Sequence, residues 1–225
     1  LILKALTTHD GPFNWEGEHF HYRQVNVWPR PYQSPHPPVW MTVMSPGSAA
    51  AAGSRGYSIA SLNTGYLRTP EIFEGYRKAA ADAGREAPKE RFGYLAIVGV
   101  GDTDEEGKRR ADQILDYSRT TPRAASQFWF PPGYTSNEIT AQMLYNRGPN
   151  MIPLRNGGEF KMQFGTVDEF IDAGVAFAGN PDTVFEQIKE FHQHVGGLGQ
   201  LLMMGQGGHI SHHDTVSNLQ LFSKE

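Results

Sequence analysis

The run Ser45-Pro46-Gly47-Ser48 is the stretch of this chain best suited to holding an anion. Serine followed by proline reads as a helix N-cap with proline at the first helical position. The run therefore opens a helix, whose unpaired N–H groups and dipole favour negative charge. Gly47 lets the backbone approach a phosphate closely, and the Ser45 and Ser48 hydroxyls can donate to it. Each hydrogen bond to such a charged group is worth about 1.5–3 kcal/mol. The same residues also read as a plain cap, with Ser45 serving only its own helix. Trp40, Met41 and Thr42 lie on the strand that leads into the turn. Alternation sends successive side chains to opposite faces, so contact with a bound ring and ordinary core packing both stand for each. Arg55, at the far end of the helix, either reaches back to the phosphate or is a solvated residue of the helix end.

Histidines gather near the carboxyl end of the chain at His209, His212 and His213. Their place after a strand allows an active-site role. A metal site would need a third ligand in reach with defined geometry. Asp214 is adjacent in sequence, but neighbours at a helix start do not face one another, so no metal is expected. Gly99-x-Gly101 and Gly205-x-Gly207-Gly208 lack the full glycine spacing and distant acidic residue of a dinucleotide fingerprint, and read as turns.

The elements that must position these residues follow from periodicity and punctuation. Leu1–Leu6 reads as the end of an amphipathic helix. Residues 12–38 hold Trp28-Pro29-Arg30-Pro31 and Pro35-His36-Pro37-Pro38, which exclude regular helix and central strand; a long loop with a short hairpin near His19–Val27 is expected. Strands are expected at Val39–Met44, Tyr57–Leu62, Phe92–Val100 and Gly199–Met204. Helices are expected after Ser45, from Thr69-Pro70 to Gly84, over Asp102–Tyr117, over Val167–Ala173, after Asn180-Pro181 with Val184, Ile188, Phe191 and Val195 buried, and after Ser211 with Val216, Leu219 and Phe222 inward. Residues 120–165 break this rhythm, and long insertions of this kind serve as lids. Phe128, Trp129, Phe130 and Tyr134 can wall an apolar substrate pocket or a dimer contact.

Alternating strands and helices argue for parallel strands with right-handed crossovers. Four strands would leave two open edges, whereas a closed barrel has eight strands and typically about 250 residues. The chain has 225 residues, begins without an initiator Met and stops at Ser223-Lys224-Glu225 inside an uncapped helical pattern. We therefore expect residues 1–225 to be one domain, the C-terminal part of a barrel whose N-terminal strands lie outside the sequence. The net charge of −4 carries no basic patch for nucleic acid. No apolar run approaches the roughly 18 residues of a membrane span. With no cysteine, disulfides, thiolate metal sites and a cysteine nucleophile are excluded; a reducing, cytoplasmic setting fits.

Several stretches together resemble the bacterial luciferase-like flavin-dependent monooxygenases. They are Gly17-Glu18-His19-Phe20, Pro29-Arg30-Pro31-Tyr32-Gln33 and Pro35-His36-Pro37-Pro38-Val39-Trp40; Ser45-Pro46-Gly47-Ser48 with its alanine-rich helix and Arg55-Gly56; Ala178-Gly179-Asn180-Pro181-Asp182-Thr183-Val184; and Ser217-Asn218-Leu219-Gln220-Leu221-Phe222. In this order they span nearly the whole chain. The resemblance implies a (β/α)8 TIM barrel that uses reduced FMN and O2 to oxygenate a small organic substrate. It also implies a separate flavin reductase as supplier and a homodimer or homo-oligomer as the assembly. Some similar proteins use a deazaflavin for hydride transfer instead, and a non-catalytic half-barrel stands as a further alternative. By the same resemblance the flavin phosphate would sit at Ser45–Ser48, while catalytic residues lie in the N-terminal half, outside this sequence.

Overall fold

The computed structural model describes residues 1–120, 138, 141 and 151–224. The aromatic lid residues Phe128, Trp129, Phe130 and Tyr134 lie outside the described residues. The chain divides into two compact units, Leu1–Trp40 and Met41–Glu225.

In the first unit, helix α1 (Ile2–Thr7) precedes strands β1 (Phe13–Glu16) and β2 (His21–Val25). The strands pair antiparallel, with Trp15 opposite Tyr22 and Glu16 opposite His21. The hairpin starts earlier than the sequence suggested. Its turn is Gly17–Phe20, closed by the Gly17 N–H on the Phe20 carbonyl at 2.9 Å. His19 therefore sits in the turn and not on a strand.

The second unit begins inside β3 (Trp40–Val43), at Met41, and runs through α2 (Pro46–Gly53), β4 (Ser58–Leu62), α3 (Gly65–Asp82), β5 (Phe92–Val100) and α4 (Asp104–Thr120). It continues with β6 (Met151–Pro153), β7 (Glu159–Lys161), α5 (Val167–Asp172), β8 (Ala176–Gly179), α6 (Pro181–His194), β9 (Gln200–Met204) and α7 (His212–Lys224). One five-stranded sheet has the order β3-β4-β5-β8, with β9 also on β5. Strands β4, β8 and β9 all run parallel to β5. Gly93, Tyr94 and Leu95 are matched on both sides, by β4 and by β9, and Ile97 is matched by β8 and β9. Strands β4 and β8 therefore occupy one edge of β5 in succession, and β9 occupies the other. The continuous apolar run of β5 reads correctly as a strand covered on both faces.

Strand β8 was not expected from the sequence. It has four residues, all buried, two of them alanine. Nothing in so short a run distinguishes a strand from the helices beside it; β5 makes it one by supplying a free edge.

Helix α3 opens one turn earlier than Thr69-Pro70. Gly65 takes φ +58°, where a side chain would also collide with the Ala173 carbonyl. The first donors are satisfied from afar: Gly65 N–H donates to the Tyr94 hydroxyl at 3.1 Å and Tyr66 N–H to the Ala173 carbonyl at 2.9 Å. Pro70 then lies inside the helix. It lacks the N–H that would bond the Tyr66 carbonyl, and His194 Nε2 donates there instead, at 2.9 Å. His194 thus mends the gap that proline leaves in a neighbouring helix.

Two clusters form the core. Val43, Ala49, Ile59, Phe73, Tyr76, Phe92, Tyr94 and Phe191 lead the larger; Ile97, Ala111, Ile114, Leu115, Phe170 and Ala176 lead the smaller. Gly99 is not a turn. It sits inside β5, where an added Cβ would meet Ala111 N at 2.6 Å, so it lets α4 lie directly on the strand. Helix α7 departs from its expected face: Val216 and Leu219 are exposed, Phe222 packs against the larger cluster, and the buried residues are Thr215 and Asn218.

Candidate functional site

Ser45 is in extended conformation (φ −148°, ψ 155°), and Pro46 opens α2 directly after β3. The two serines cap each other. Ser48 N–H donates to Ser45 Oγ and Ser45 N–H to Ser48 Oγ, both at 3.3 Å, while Ser48 Oγ also donates to the Ser45 carbonyl at 2.9 Å. Ala49 N–H takes the same carbonyl at 3.1 Å. Pro46 has no N–H, so the Gly47 N–H is the donor of this turn left without an acceptor. A Cβ built on Gly47 would meet nothing within 4 Å; the space over the turn is open, and Ser45, Pro46 and Gly47 are exposed. From behind, the turn is fixed by α3, whose Gly75 leaves room for Pro46: a Cβ placed there would meet Pro46 atoms at 3.0–3.1 Å.

The strand leading in divides as alternation requires. Met41 packs against the larger core cluster with Val43. Trp40, Thr42 and Met44 lie on the opposite face and are exposed. Of the residues read as ring contacts, Met41 is thus a core residue, and Trp40 is on the open face. Arg55 does not turn toward the serines: its Nη1 donates to the Ala51 carbonyl at 2.6 Å, at the far end of α2.

The loop that follows β9, Gly205–Ser211, is seated on α4. Gly208 takes φ +56°, and a side chain there would collide with the Gln113 carbonyl; the His209 N–H donates to that carbonyl at 3.3 Å. Ser211 caps α7 through the Asp214 N–H at 3.0 Å, as expected. Asp214 returns to α4, within 3.4 Å of Arg109 and 3.5 Å of Arg110. The hydrogen bond from Arg109, aided by Ser211, holds the Asp214 carboxyl below the usual carboxylate range. Arg110 is 2% exposed and donates to the Val100 carbonyl at 2.5 Å, to Glu106 at 2.7 Å and to Ser217 at 3.1 Å. Asn218, fully buried, completes the seam. Its Oδ1 accepts the Val100 N–H at 2.6 Å, and its Nδ2 donates to the carbonyls of Val98 and Gly205, both at 3.0 Å. The amide thus continues the ladder along the edge of β5 that β9 has left. His209 Nδ1 lies 3.3 Å from Asp116, and His212 and His213 are exposed. Among the described residues no group of three His, Cys, Asp or Glu is arranged to hold a metal. Sequence reasoning missed the whole α4 seat, because no local pattern links residues a hundred positions apart.

At the end of β5, Asp104 opens α4 and also serves α6. Its Oδ1 accepts the Asn180 N–H at 2.8 Å. That bond, with a second from Thr183, pulls its carboxyl below the ordinary value of 3.8. A carboxylate with a lowered folded value contributes stability above its unfolded value, and the contribution is lost as pH falls from there through the folded value. Between pH 7 and about pH 2 the wild type should lose more stability than Asp104→Asn, with the difference arising below about pH 4. Urea midpoints at a series of pH values measure this; parallel curves for the two proteins would exclude the role.

No helix among the described residues is long and apolar enough to cross a membrane. Comparison with known proteins finds one relative, three solved structures and one family model. The uncharacterised protein y4wF of Sinorhizobium fredii is 31% identical over 107 residues, covering 47% of this chain and 30% of that protein. Monooxygenase RslO1 from Streptomyces bottropensis superposes with a TM-score of 0.67 at 18% identity, over 99% of this chain and 56% of its own. The oxygenating constituent of 3,6-diketocamphane monooxygenase from Pseudomonas putida, solved with FMN, gives 0.64 at 23% identity over 100% and 59%; the coenzyme F420-dependent tetrahydromethanopterin reductase of Methanopyrus kandleri gives 0.62 at 18% over the same shares. The chain thus spans under three fifths of the length of each, and the likeness to the solved structures identifies the fold as their α/β barrel. The family model described as luciferase-like monooxygenase matches residues 1–196, and this chain belongs to that family.

Proposed function

We propose that this chain carries the flavin-phosphate site of an FMN-dependent monooxygenase. The observation that carries the reading is the Ser45–Ser48 turn. It joins an open glycine, an unsatisfied N–H and two hydroxyls at the carboxyl end of strand β3, and ligands of α/β barrels bind at the carboxyl ends of strands. These residues fit a phosphate: the dianion would accept from the Gly47 N–H and the hydroxyls, at a helix N-terminus whose dipole favours it. Bound reduced FMN would supply two electrons to O2, with one oxygen atom passing to a small organic substrate and the other leaving as water. The chain's own task is to fix the phosphate end. Trp40, Thr42 and Met44, on the open face of β3, are placed to meet the rest of the ligand. In this reading residues 1–225 are part of one barrel domain. Residues 120–165 are an insertion that returns through the β6–β7 hairpin, a separate reductase delivers the flavin, and the protein is a homodimer or larger homo-oligomer.

The test is a titration with reduced FMN, oxidised FMN and riboflavin, anaerobic where needed. The expected result is binding of FMN at least about a hundredfold tighter than riboflavin, the value of two charge-assisted bonds. Binding of a deazaflavin cofactor and not of FMN would replace the monooxygenase with a hydride-transfer oxidoreductase. Binding of neither would remove the cofactor site altogether.

A further inference from the structure

Arg155 meets three helices from the turn of the β6–β7 hairpin. Its guanidinium lies 4.3 Å over the ring of Tyr66, at the start of α3. Its Nη1 donates to Glu190 of α6 at 2.6 Å, and its Nε lies 3.6 Å from Asp172 at the end of α5. The Arg155 backbone N–H donates to the same Asp172 carboxylate at 3.2 Å. Burial, with Glu190 beside it, pushes the Tyr66 hydroxyl up to about 12. That hydroxyl therefore keeps its proton and donates it to Glu190 at 3.4 Å, so one carboxylate is held between the arginine and the tyrosine. At the base of the hairpin, Arg68 of α3 donates to the Met151 carbonyl at 3.2 Å.

The hairpin is a two-stranded sheet that pairs with no other described strand. Its ladder is Met151–Lys161, Ile152–Phe160 and Pro153–Glu159, and a hairpin of that size does not persist alone in water. It is ordered by what it rests on. Its underside is apolar: Ile152 and Phe160 are buried in the smaller core cluster, with Phe160 edge-on to Phe170 at 4.9 Å. The joint at its turn is ionic and wet, for the side chains of Arg155, Glu190 and Asp172 are 39%, 57% and 38% exposed. Salt screens such pairs and leaves apolar contacts in place. We propose that the β6–β7 hairpin is a strap that opens as one unit, and that Arg155 is the latch that holds it shut. The strap covers the smaller cluster, which includes Ile97 in the carboxyl half of β5 and Ile114 of α4, so opening admits solvent to that half of the strand. The latch needs no ligand, and it stands or falls separately from the flavin reading.

Amide hydrogen exchange of the whole protein tests the strap, under conditions where the rate follows the population of the open form. The Leu154 amide is bonded to the Gly158 carbonyl at 2.8 Å within the hairpin, and the Ile97 amide of β5 to the Val175 carbonyl at 3.1 Å. Relative to intrinsic rates, Leu154 should exchange at least about tenfold faster than Ile97 in wild type, as a locally opening unit does. Arg155→Ala should speed Leu154 about tenfold more, by the loss of two part-exposed ion pairs and a cation–π contact, and leave Ile97 unchanged. Raising sodium chloride from about 0.05 to about 0.5 M should speed Leu154 several-fold in wild type and have little effect in Arg155→Ala. Arg155→Lys keeps the charge without the planar fork, and should restore the salt response with only part of the protection. Equal protection of Leu154 and Ile97 in wild type would mean that the hairpin opens only with the whole fold. A Leu154 rate unmoved by Arg155→Ala, or raised together with that of Ile97, would mean that Arg155 is no latch. Should the alanine variant not fold, wild type decides: a Leu154 rate that is flat in salt overturns the latch.

Discussion

FMN should bind the Ser45→Ala/Ser48→Ala double variant about a hundredfold or more weakly than wild type, while riboflavin loses no more than about twofold. The figure follows from two hydroxyl bonds to a charged phosphate, each worth about 1.5–3 kcal/mol. The geometry also ranks the two serines. Ser45 Oγ caps the helix by accepting the Ser48 N–H and lies 3.1 Å from Ser48 Oγ; turning its own proton to a phosphate gives up that hydroxyl contact but leaves the cap in place. Ser48 Oγ donates its proton to the Ser45 carbonyl, and redirecting it breaks that bond. Ser45→Ala should therefore cost more affinity than Ser48→Ala. Ser45→Asp separates capping from binding. Aspartate caps a helix as well as serine but places a negative charge beside the phosphate, so folding should hold while FMN binding collapses and riboflavin binding stays. Equal losses for both ligands in the double variant would place the phosphate elsewhere.

Asn218→Leu should destabilise the protein by at least about 3 kcal/mol. The substitution keeps the branched skeleton of the side chain, with some added bulk, but removes one acceptor and the donor of two bonds. It leaves the Val100 N–H and the Val98 and Gly205 carbonyls buried without partners, at about 1–3 kcal/mol each. Asn218→Asp should be as damaging or worse, since a carboxylate can still accept from Val100 but sets a charge against two carbonyl oxygens. The check is a lowered urea midpoint with an unchanged slope. A loss under about 1 kcal/mol would mean that β5 is not held by this side chain.

The contrast between these two sites explains what the sequence made legible. The Ser45–Ser48 turn is local: cap, proline, glycine and second serine lie within four positions, and the structure places them as their order predicts. Strand β5 and helix α6 were equally readable, the one from an unbroken apolar run and the other from Asn180-Pro181 and its stripe. What sequence reasoning missed was decided by distant partners. Strand β8 exists because β5 has an edge to offer. The start of α3 is set by Tyr94 and Ala173. The inner face of α7 is polar because Asn218 is paired across the chain with Val98 and Val100, so hydrophobic periodicity pointed to the wrong side. Trp40 and Met41 were unresolved by pattern alone, since Val39–Met44 is apolar at every position but Thr42 and gives no sign of which alternating set faces the core.

The double occupancy of β5 bears on how the chain is made. A ribosome releases β5 together with β4, so one edge finds a neighbour at once, but the residues that pair with the other edge, Gln200–Met204, come more than a hundred positions later. At ordinary rates of translation that interval is about 5–20 s. Throughout it, Gly93–Ile97 present bare amides and carbonyls to solvent beside one of the most apolar stretches of the chain. A nascent strand in that state is the kind of template on which neighbouring chains add, and the yield of folded protein should be governed by how well a holdase shields it until β9 emerges.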